Sequence, residues 1–493
     1  MNKKCRMGAL MLLVFLGCPE MGQQVEAAQT QMREEAAEFT DLSEAFDVIL
    51  RGATKEFIAG YVLDEAFLMW LGANYGEETI FALAGRVLDG ELAAEGWYEA
   101  TGETIHVLWL KFCRDTGFYS YQLENVYWKE CAAEQETVIS FTGDFNFAED
   151  WCTTEYMKAQ PDGIYGCFSE ELLELMNQSD IMVMNNEFTY TESREALWGK
   201  DYVFRARPEM AKLLSAFGAD AVTLANNHVF DYGEKGLSDT LAHLRENRIP
   251  YSGAGENIEE ACKILYFVAN GRKIALVSAT EIERSIQYTR EASDTRNGVL
   301  KTLNPRRFVS VIQEAKEHSD YVIAVVHWGT EGALYPDTSQ RYLAEKFAEA
   351  GADVIIGGHP HRLQGAGYVK GVPVAYSLGN FWFSDSVLYT TVAQVIIGED
   401  GSLRLRYQPC IQKDLTTSLI TDEAEKEEFN RYLAAISSDV WIDPEGNVYD
   451  KCAETEEDVQ LMLDADICTT ELRGYMDNEG NAIDIVGNLR KRP

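Results

Sequence analysis

From residue 137 onward the chain alternates two textures. Short β-branched apolar runs, TVISFTGD (137–144), DIMVMNNE (180–187), DAVTLANNH (220–228), RKIALVSAT (272–280), DYVIAVVHWG (320–329), ADVIIGGHPH (352–361) and VPVAYSLGN (372–380), have the length and composition of strands. Between several of them, residues 208–217, 233–247, 305–318 and 338–350 place apolar side chains at helical spacing. Strands interleaved with helices predict a layered α/β domain. Residues 391–408 read as a hairpin turning at Glu399, Asp400, Gly401 and Ser402. Upstream, residues 30–135 lack strand alternation and carry helix-period apolar positions in LDEAFLMWLGANYG and TIHVLWLKFC, which predicts a small helical domain with aromatic-rich packing. Beyond 412 the chain is charged and mixed, with EAEKEEFNRYLAAIS expected as a surface helix. The pattern divides the chain into a leader (1–29), a helical accessory domain (30–135), an α/β domain (136–412) and a C-terminal α/mixed extension (413–493).

Composition narrows the function classes. A chain of 493 residues, 46% hydrophobic, has material for two or three cores at about 100–250 residues per domain. Its 43 Lys and Arg against 80 Asp and Glu leave a formal charge of −37. That charge repels phosphate backbones and argues against nucleic acid as a partner, while favouring cations. At the amino terminus, Lys3, Lys4 and Arg6 precede an apolar stretch from Met7 to Leu16 that is too short to span a bilayer; this is a signal-peptide pattern. FLGC at 15–18 resembles a bacterial lipobox with Cys18 as the lipidated residue, whereas VEA at 25–27 offers an ordinary cleavage site. Either processing predicts a bacterial protein outside the cytoplasmic membrane, and lipidation at Cys18 would make it a membrane-anchored lipoprotein. The eight cysteines other than Cys5 and Cys18 show no C-x-x-C spacing, which argues against a zinc knuckle and leaves disulfides open.

The chemistry gathers where the strand runs end. FTGD delivers Asp144, NNE delivers Glu187, ANNH delivers Asn227 and His228, VVHWG delivers His327, and GGHPH delivers His359 and His361. Ligands of open α/β folds bind beyond the carboxyl ends of strands, so these side chains are placed to converge. Each has a plain structural alternative: Asp144 as a helix cap, the asparagines as turn residues, His327 as a satisfied core histidine. A sheet by itself has no use for carboxylate, amide and imidazole at successive strand ends. The other histidines, His106, His243 and His318, fall in helical patterns and are not expected as ligands. Carboxylate, amide oxygen and neutral imidazole together suit divalent Mn, Fe or Zn. Two such ions about 3.5–4 Å apart clamp the attacking and leaving oxygens of a phosphoryl group. On extended backbone leaving a strand, His359 and His361 could reach adjacent ions, with Pro360 stiffening the turn.

In order along residues 137–410, GDFNF, NNEFTY, LANNHVFDYG, VVHWGTEG, GGHPHRLQG and YSLGNF resemble the motifs of the poly-γ-glutamate capsule-synthesis protein family, CapA type, a branch of the calcineurin-like metallophosphoesterases. The resemblance implies a four-layer α/β/β/α domain and two divalent metal ions. It implies that Asp144 and His361 hold one ion, that Asn227, His327 and His359 hold the other, and that Glu187 bridges them. His228 would be the non-ligand acid, with Asp231 reaching back to its ring. Asn146 stands where the superfamily has the second histidine of D-x-H, and Glu187 where the bridge is usually Asp.

Nearby residues extend the candidate site. Arg205 is a candidate to grip a phosphate or carboxylate, and Asn380 of SLGNF could approach from a strand end; Lys200 and Arg207 read as solvated loop charges, Trp328 and Phe381 as packing residues. Two functions accommodate this set. One is an exported hydrolase of a phosphoester or related bond in capsule or cell-envelope polymer metabolism. The other is a non-catalytic metal-containing surface protein that binds or tethers an anionic polymer such as poly-γ-glutamate.

Overall fold

A computed structural model describes residues 41–52, 63–89, 94–284 and 288–451; Cys18 and the alternative cleavage site lie outside them. The described residues form two compact units, those up to 124 with 271–273, and those of 125–270 with 274–451. The division falls before residue 135 because Val126–Trp128 is a strand, paired in parallel with Leu265–Ala269 of the larger unit.

In the smaller unit, helices Leu42–Gly52, Glu65–Tyr75, Glu77–Asp89, Ala94–Thr101 and Ile105–Thr116 enclose Phe67, Leu71, Trp97, Trp109 and Phe112. Asp64 caps the second of these helices by accepting from the Phe67 amide. Trp109 stays buried because its indole N–H donates to Gln122 Oε1 at 2.7 Å.

The larger unit holds two main sheets. The seven-stranded sheet runs in the order Val126–Trp128, Leu265–Ala269, Arg272–Thr280, Tyr321–His327, Val354–Gly358, Val372–Leu378, Leu363–Val369. The ten-stranded sheet is built on Glu136–Phe145, flanked by Ile181–Asn186, Ala221–Thr223 and Tyr251–Ser252 on one side and by the hairpin Leu388–Gly398 and Leu403–Lys413 on the other.

Successive side chains along a strand serve opposite faces, and the apolar clusters follow that period of two. Ile139, Phe141, Ile181 and Val183 meet Leu276, Ile323 and Ile356 in one core between the sheets. Met182, Met184 and Val222 face outward onto Leu172, Leu214, Phe217 and Leu241 of the covering helices. Val277, Ala324 and Ile355 face the other way, onto Phe308, Ile312, Leu343 and Phe347. Three apolar interfaces between four layers give the expected α/β/β/α sandwich.

Three local expectations are adjusted. Pro208–Phe217 is a 3-10 helix, opened by Pro208 and closed by Gly218 at φ 65°. Helix Glu423–Ile436 is not simply a surface helix, because Phe429, Leu433 and Ile436 at i, i+4 and i+7 are buried in the inter-sheet core. Residues 413–451 also supply Thr416–Leu419, Val440–Ile442 and Asn447–Asp450 to the ten-stranded sheet, so this part of the extension completes the α/β unit. Among the described residues the cysteines, Cys113, Cys131, Cys152, Cys167, Cys262 and Cys410, are free thiols.

Candidate metal centre

Parallel strands bring the polar ends of both sheets together. In the ten-stranded sheet Asp144 is level with Asn185, and Asn185 with Thr223, so Asp144, Glu187 and the 226–228 turn emerge at one edge. In the other sheet His327 is level with Gly358, which places His359 just beyond it. Asn226 shapes the turn, its Oδ1 accepting from the amides of His228 (3.1 Å) and Val229 (2.9 Å). His359 and His361 do not leave the strand on extended backbone as expected. Both adopt left-handed conformations, φ 97° and 54°, around Pro360. Non-glycine residues in this region cost on the order of 1–3 kcal/mol each and persist where their surroundings over-determine them.

Two donor groups form, Asp144 with Glu187 and His327, and Glu187 with His359 and His361. The partition differs from the one the resemblance implies, because His361 turns Nδ1 toward Asn380 Oδ1 (2.7 Å) and Asp144 Oδ2 (3.2 Å), leaving Nε2 on the Glu187 side at 4.0 Å. Glu187 is common to both groups under either partition. Asn227 Oδ1 lies 2.8 Å from His327 Nε2, which is 3.3 Å from Glu187 Oε1. Ligands about 2.0–2.2 Å from one ion stand about 3 Å apart, so this spacing fits shared coordination. Glu187 is fully buried, and neither of its oxygens has a hydrogen-bond partner; His359 Nδ1 is likewise buried and unpartnered. A carboxylate withdrawn from water without donors is strongly disfavoured unless a cation meets it. The donor set therefore fits divalent metal.

Asn146 has its amide oxygen engaged by the backbone. Its Oδ1 accepts from the Ala148 amide at 2.7 Å, which fixes the amide's orientation and leaves Nδ2 buried without a partner. An NH₂ group donates and cannot ligate a cation.

The ionisation pattern of the protein without metal follows from burial and neighbours. Burial and the Asp144 carboxylate push Glu187 well above the usual carboxylate range. Burial works against a charged His361, yet Glu187 and Asp144 outweigh it and lift the imidazole to about 10. Burial also opposes ionisation of Asp144, but His361 and His327 bring it below its ordinary value. Burial holds His327 down to about 3 and His359 well below its ordinary value, so both are neutral at pH 7 and have lone pairs to give.

His228 and Asp231 form the pair expected, Nδ1 to Oδ2 at 2.8 Å, and Phe204 packs on the ring at 4.4 Å. Burial pushes His228 down to about 4, so at neutral pH its Nε2 carries a lone pair rather than the proton an acid would need. Lys200 is not a solvated loop charge. Its side chain is 6% exposed, and Nζ lies 2.5 Å from Asp231 Oδ1. No periodic signal marks it, since it sits on an irregular loop; a lysine five residues before an arginine-bearing strand was the whole clue. Arg205 is not free to grip an anion, because it is paired with Glu149, which also takes Arg207 Nε at 2.6 Å. Asn380 sits opposite Asp144 in the sheet and serves His361 rather than an open position. Trp328 and Phe381 are core residues. His243 pairs with Glu246, and His318 Nδ1 lies 2.8 Å from the Glu314 carbonyl, each within its own helical segment.

Of the donors, Asn227 and His359 line a cleft of about 330 Å³ together with Ile282, Glu283, Arg284, Gly329, Thr330 and Glu331.

The PGA biosynthesis protein CapA of Bacillus subtilis (strain 168) is 30% identical over 281 residues, covering 56% of this chain and 73% of that protein. The capsule biosynthesis protein CapA of Bacillus anthracis is 31% identical over 246 residues, 48% of this chain and 59% of its own length. A solved 5'-nucleotidase from Candida albicans SC5314 aligns over 57% of this chain and 54% of its own at 11% identity and a TM-score of 0.31. The family model of the bacterial capsule synthesis protein PGA_cap matches residues 138–385, a span that opens just before Asp144 and closes just after Asn380. With that half of the chain matched, and every donor of the centre inside it, the chain belongs to the bacterial capsule synthesis protein family PGA_cap.

Proposed function

We propose that the chain is an exported, divalent-metal-dependent hydrolase of a phosphoester or related bond in capsule or cell-envelope polymer metabolism. The observation that carries this reading is Glu187, buried without a donor on either oxygen and common to both donor groups, beside a paired His228 and Asp231. Asp144, Glu187, Asn227, His327, His359 and His361 would hold the metal, which when bound supplies Lewis acidity and charge neutralisation at a phosphoryl group. With Nδ1 committed to Asp231, His228 takes a proton from the attacking water at Nε2, is stabilised as imidazolium by Asp231, and returns the proton to the leaving oxygen. Asn380 keeps His361 oriented, and Thr189 Oγ1 holds the His228 carbonyl at 3.1 Å.

The test combines metal analysis of the purified chain with a panel of alkyl and aryl phosphoesters. His228→Asn is expected to retain metal and to lose turnover by about 10²–10⁴-fold, more for alkyl than for activated aryl esters. A second reading, polymer binding without turnover, is favoured by Asn146, whose amide thins the donor set. Metal-dependent binding of poly-γ-glutamate by a wild type that cleaves no ester would establish it.

Export is part of the proposal, with lipidation at Cys18 as the anchor. Among the described residues no helix is long and apolar enough to cross a membrane. Cys18→Ala should move the protein from the membrane to the soluble envelope fraction, since each buried CH₂ of an acyl chain contributes about 0.8 kcal/mol; unchanged fractionation would point to cleavage near Ala27.

A further inference from the structure

Lys200 belongs to an irregular loop whose neighbours face solvent, Trp198 at 92% and Tyr202 at 61% exposure, yet its own side chain turns inward. Burying an ammonium is costly unless its protons are taken. Here they are taken by Asp231 Oδ1 (2.5 Å) and the Asn227 carbonyl, with Glu283 Oε1 3.4 Å away. This leaves Asp231 Oδ2 to accept from the Phe204 amide (2.6 Å) and from His228 Nδ1 (2.8 Å). The two oxygens of one fully buried carboxylate are thus divided between the ammonium and the ring. Lys200 Nζ also lies 3.5 Å from His228 Nδ1. The ammonium could donate to Nδ1 only in the opposite tautomer, but its protons go at shorter range to Asp231 Oδ1 and the Asn227 carbonyl, while Asp231 Oδ2, which only accepts, needs the ring proton on Nδ1.

We propose that Lys200 is a positioning residue: it fixes Asp231 so that His228 is held as the Nδ1–H tautomer, with Nε2 left for the reacting atoms. The clause about reacting atoms rests on the hydrolase reading; the held tautomer does not. The same ammonium anchors the carbonyl of Asn227, whose side-chain oxygen faces His327 Nε2 at 2.8 Å. One side chain therefore ties the imidazole to the metal-facing amide. Arginine is not equivalent here, because its planar fork would have to reach Asp231 and the Asn227 carbonyl from the pocket of a compact ammonium.

The experiment uses the full chain with ¹⁵N-labelled histidine, saturated with Zn²⁺ so that the sample is diamagnetic, and compares wild type with Lys200→Met by long-range ¹H–¹⁵N spectra. Wild type is expected to show His228 as a single Nδ1–H tautomer, and Lys200→Met a mixture of both, at equal zinc content. Lys200→Gln, which keeps a donor without the charge, provides the same comparison if the methionine variant does not fold. A folded variant that keeps the pure Nδ1–H form, or a wild type that shows the Nε2–H form, overturns the proposal. On any ester the wild type cleaves, kcat should fall at least about tenfold with KM within about threefold, as expected for loss of an interaction used in the transition state; an unchanged kcat overturns the catalytic clause. If wild type cleaves no ester, the hydrolase reading fails while the tautomer result still decides the role of Lys200.

Discussion

Replacing Glu187 with glutamine should have opposite effects with and without metal. Without metal, two buried carboxylates, Asp144 and Glu187, face one imidazolium, His361, so one negative charge is unmatched when both are ionised. Glu187 carries the mismatch, its pKa raised by burial and by Asp144. Below about pH 4.5 the carboxyl is protonated in both folded and unfolded chains and exacts no penalty. As pH rises from there toward the raised folded value, the unfolded chain ionises first, and stability falls. His361 acts in the same direction, because the stabilisation from its proton is complete below about 6.5 and fades as pH rises through about 10. An uncompensated buried charge costs about 3–5 kcal/mol. Partial compensation by His361 reduces this to about 2–3 kcal/mol at pH 8, or about 3–5 °C in Tm for a unit of roughly 300 residues or more. In chelator, Glu187→Gln should therefore unfold at higher temperature than wild type at pH 8, with the gap narrowing toward pH 5. With Mn²⁺ at a thousandfold excess over its Kd, wild type should gain about 4 kcal/mol, and a variant binding a hundredfold more weakly only about 1.4 kcal/mol. A variant less stable than wild type in chelator, or an equal gain from Mn²⁺ in both proteins, would refute the assignment of Glu187 as the shared ligand.

Other consequences follow from the same geometry. Metal must displace the His361 proton, so apparent affinity should climb about tenfold per pH unit below pH 10, measured by competition with a chelating dye from pH 6 to 8.5; a flat profile would show that His361 is not a ligand. Asn146→Ala should leave metal content unchanged by elemental analysis, since its oxygen is held by Ala148; a drop of a whole ion per chain would return Asn146 to the donor set. Gly358→Ala would set a methyl group 3.1 Å from Asp144 Oδ1 and 3.4 Å from His327 Nδ1, so metal content should fall while the circular dichroism of the fold is retained. Full metal loading of that variant would mean that Asp144 tolerates displacement.

Much of the α/β unit was legible because its strands are short, apolar and bounded. RKIALVSAT became Arg272–Thr280 without adjustment, and the hairpin turned where Asp400 and Gly401 called for it. The 413–451 segment was less legible. Its strands have three or four residues, too few to show a period, and their place was set by pairing, Thr416–Leu419 and Asn447–Asp450 with Leu403–Lys413 and Val440–Ile442 with Asn447–Asp450, rather than by their own composition. The donors of the centre were legible for a related reason: each lies at the end of a strand or within a few residues of it, and sheet register converts that sequence position into spatial position.

Side chains that answer to the donors rather than to a strand escaped that logic. Lys200 reaches Asp231 from a loop 31 positions away in sequence, and nothing in its neighbours' polarity distinguishes an inward lysine from an outward one. Arg205 shows the converse. Its spacing suited an anion, but Glu149 had already claimed it across 56 positions. Asn146 is the most instructive of the three, because its position in D-x-H made it a ligand by alignment while its orientation is decided by one backbone amide two residues on. With the oxygen engaged by the Ala148 N–H, the end of the amide left buried without a partner is the NH₂, a donor. A motif therefore places a residue at a site, and its hydrogen-bond partners decide which chemistry it brings there.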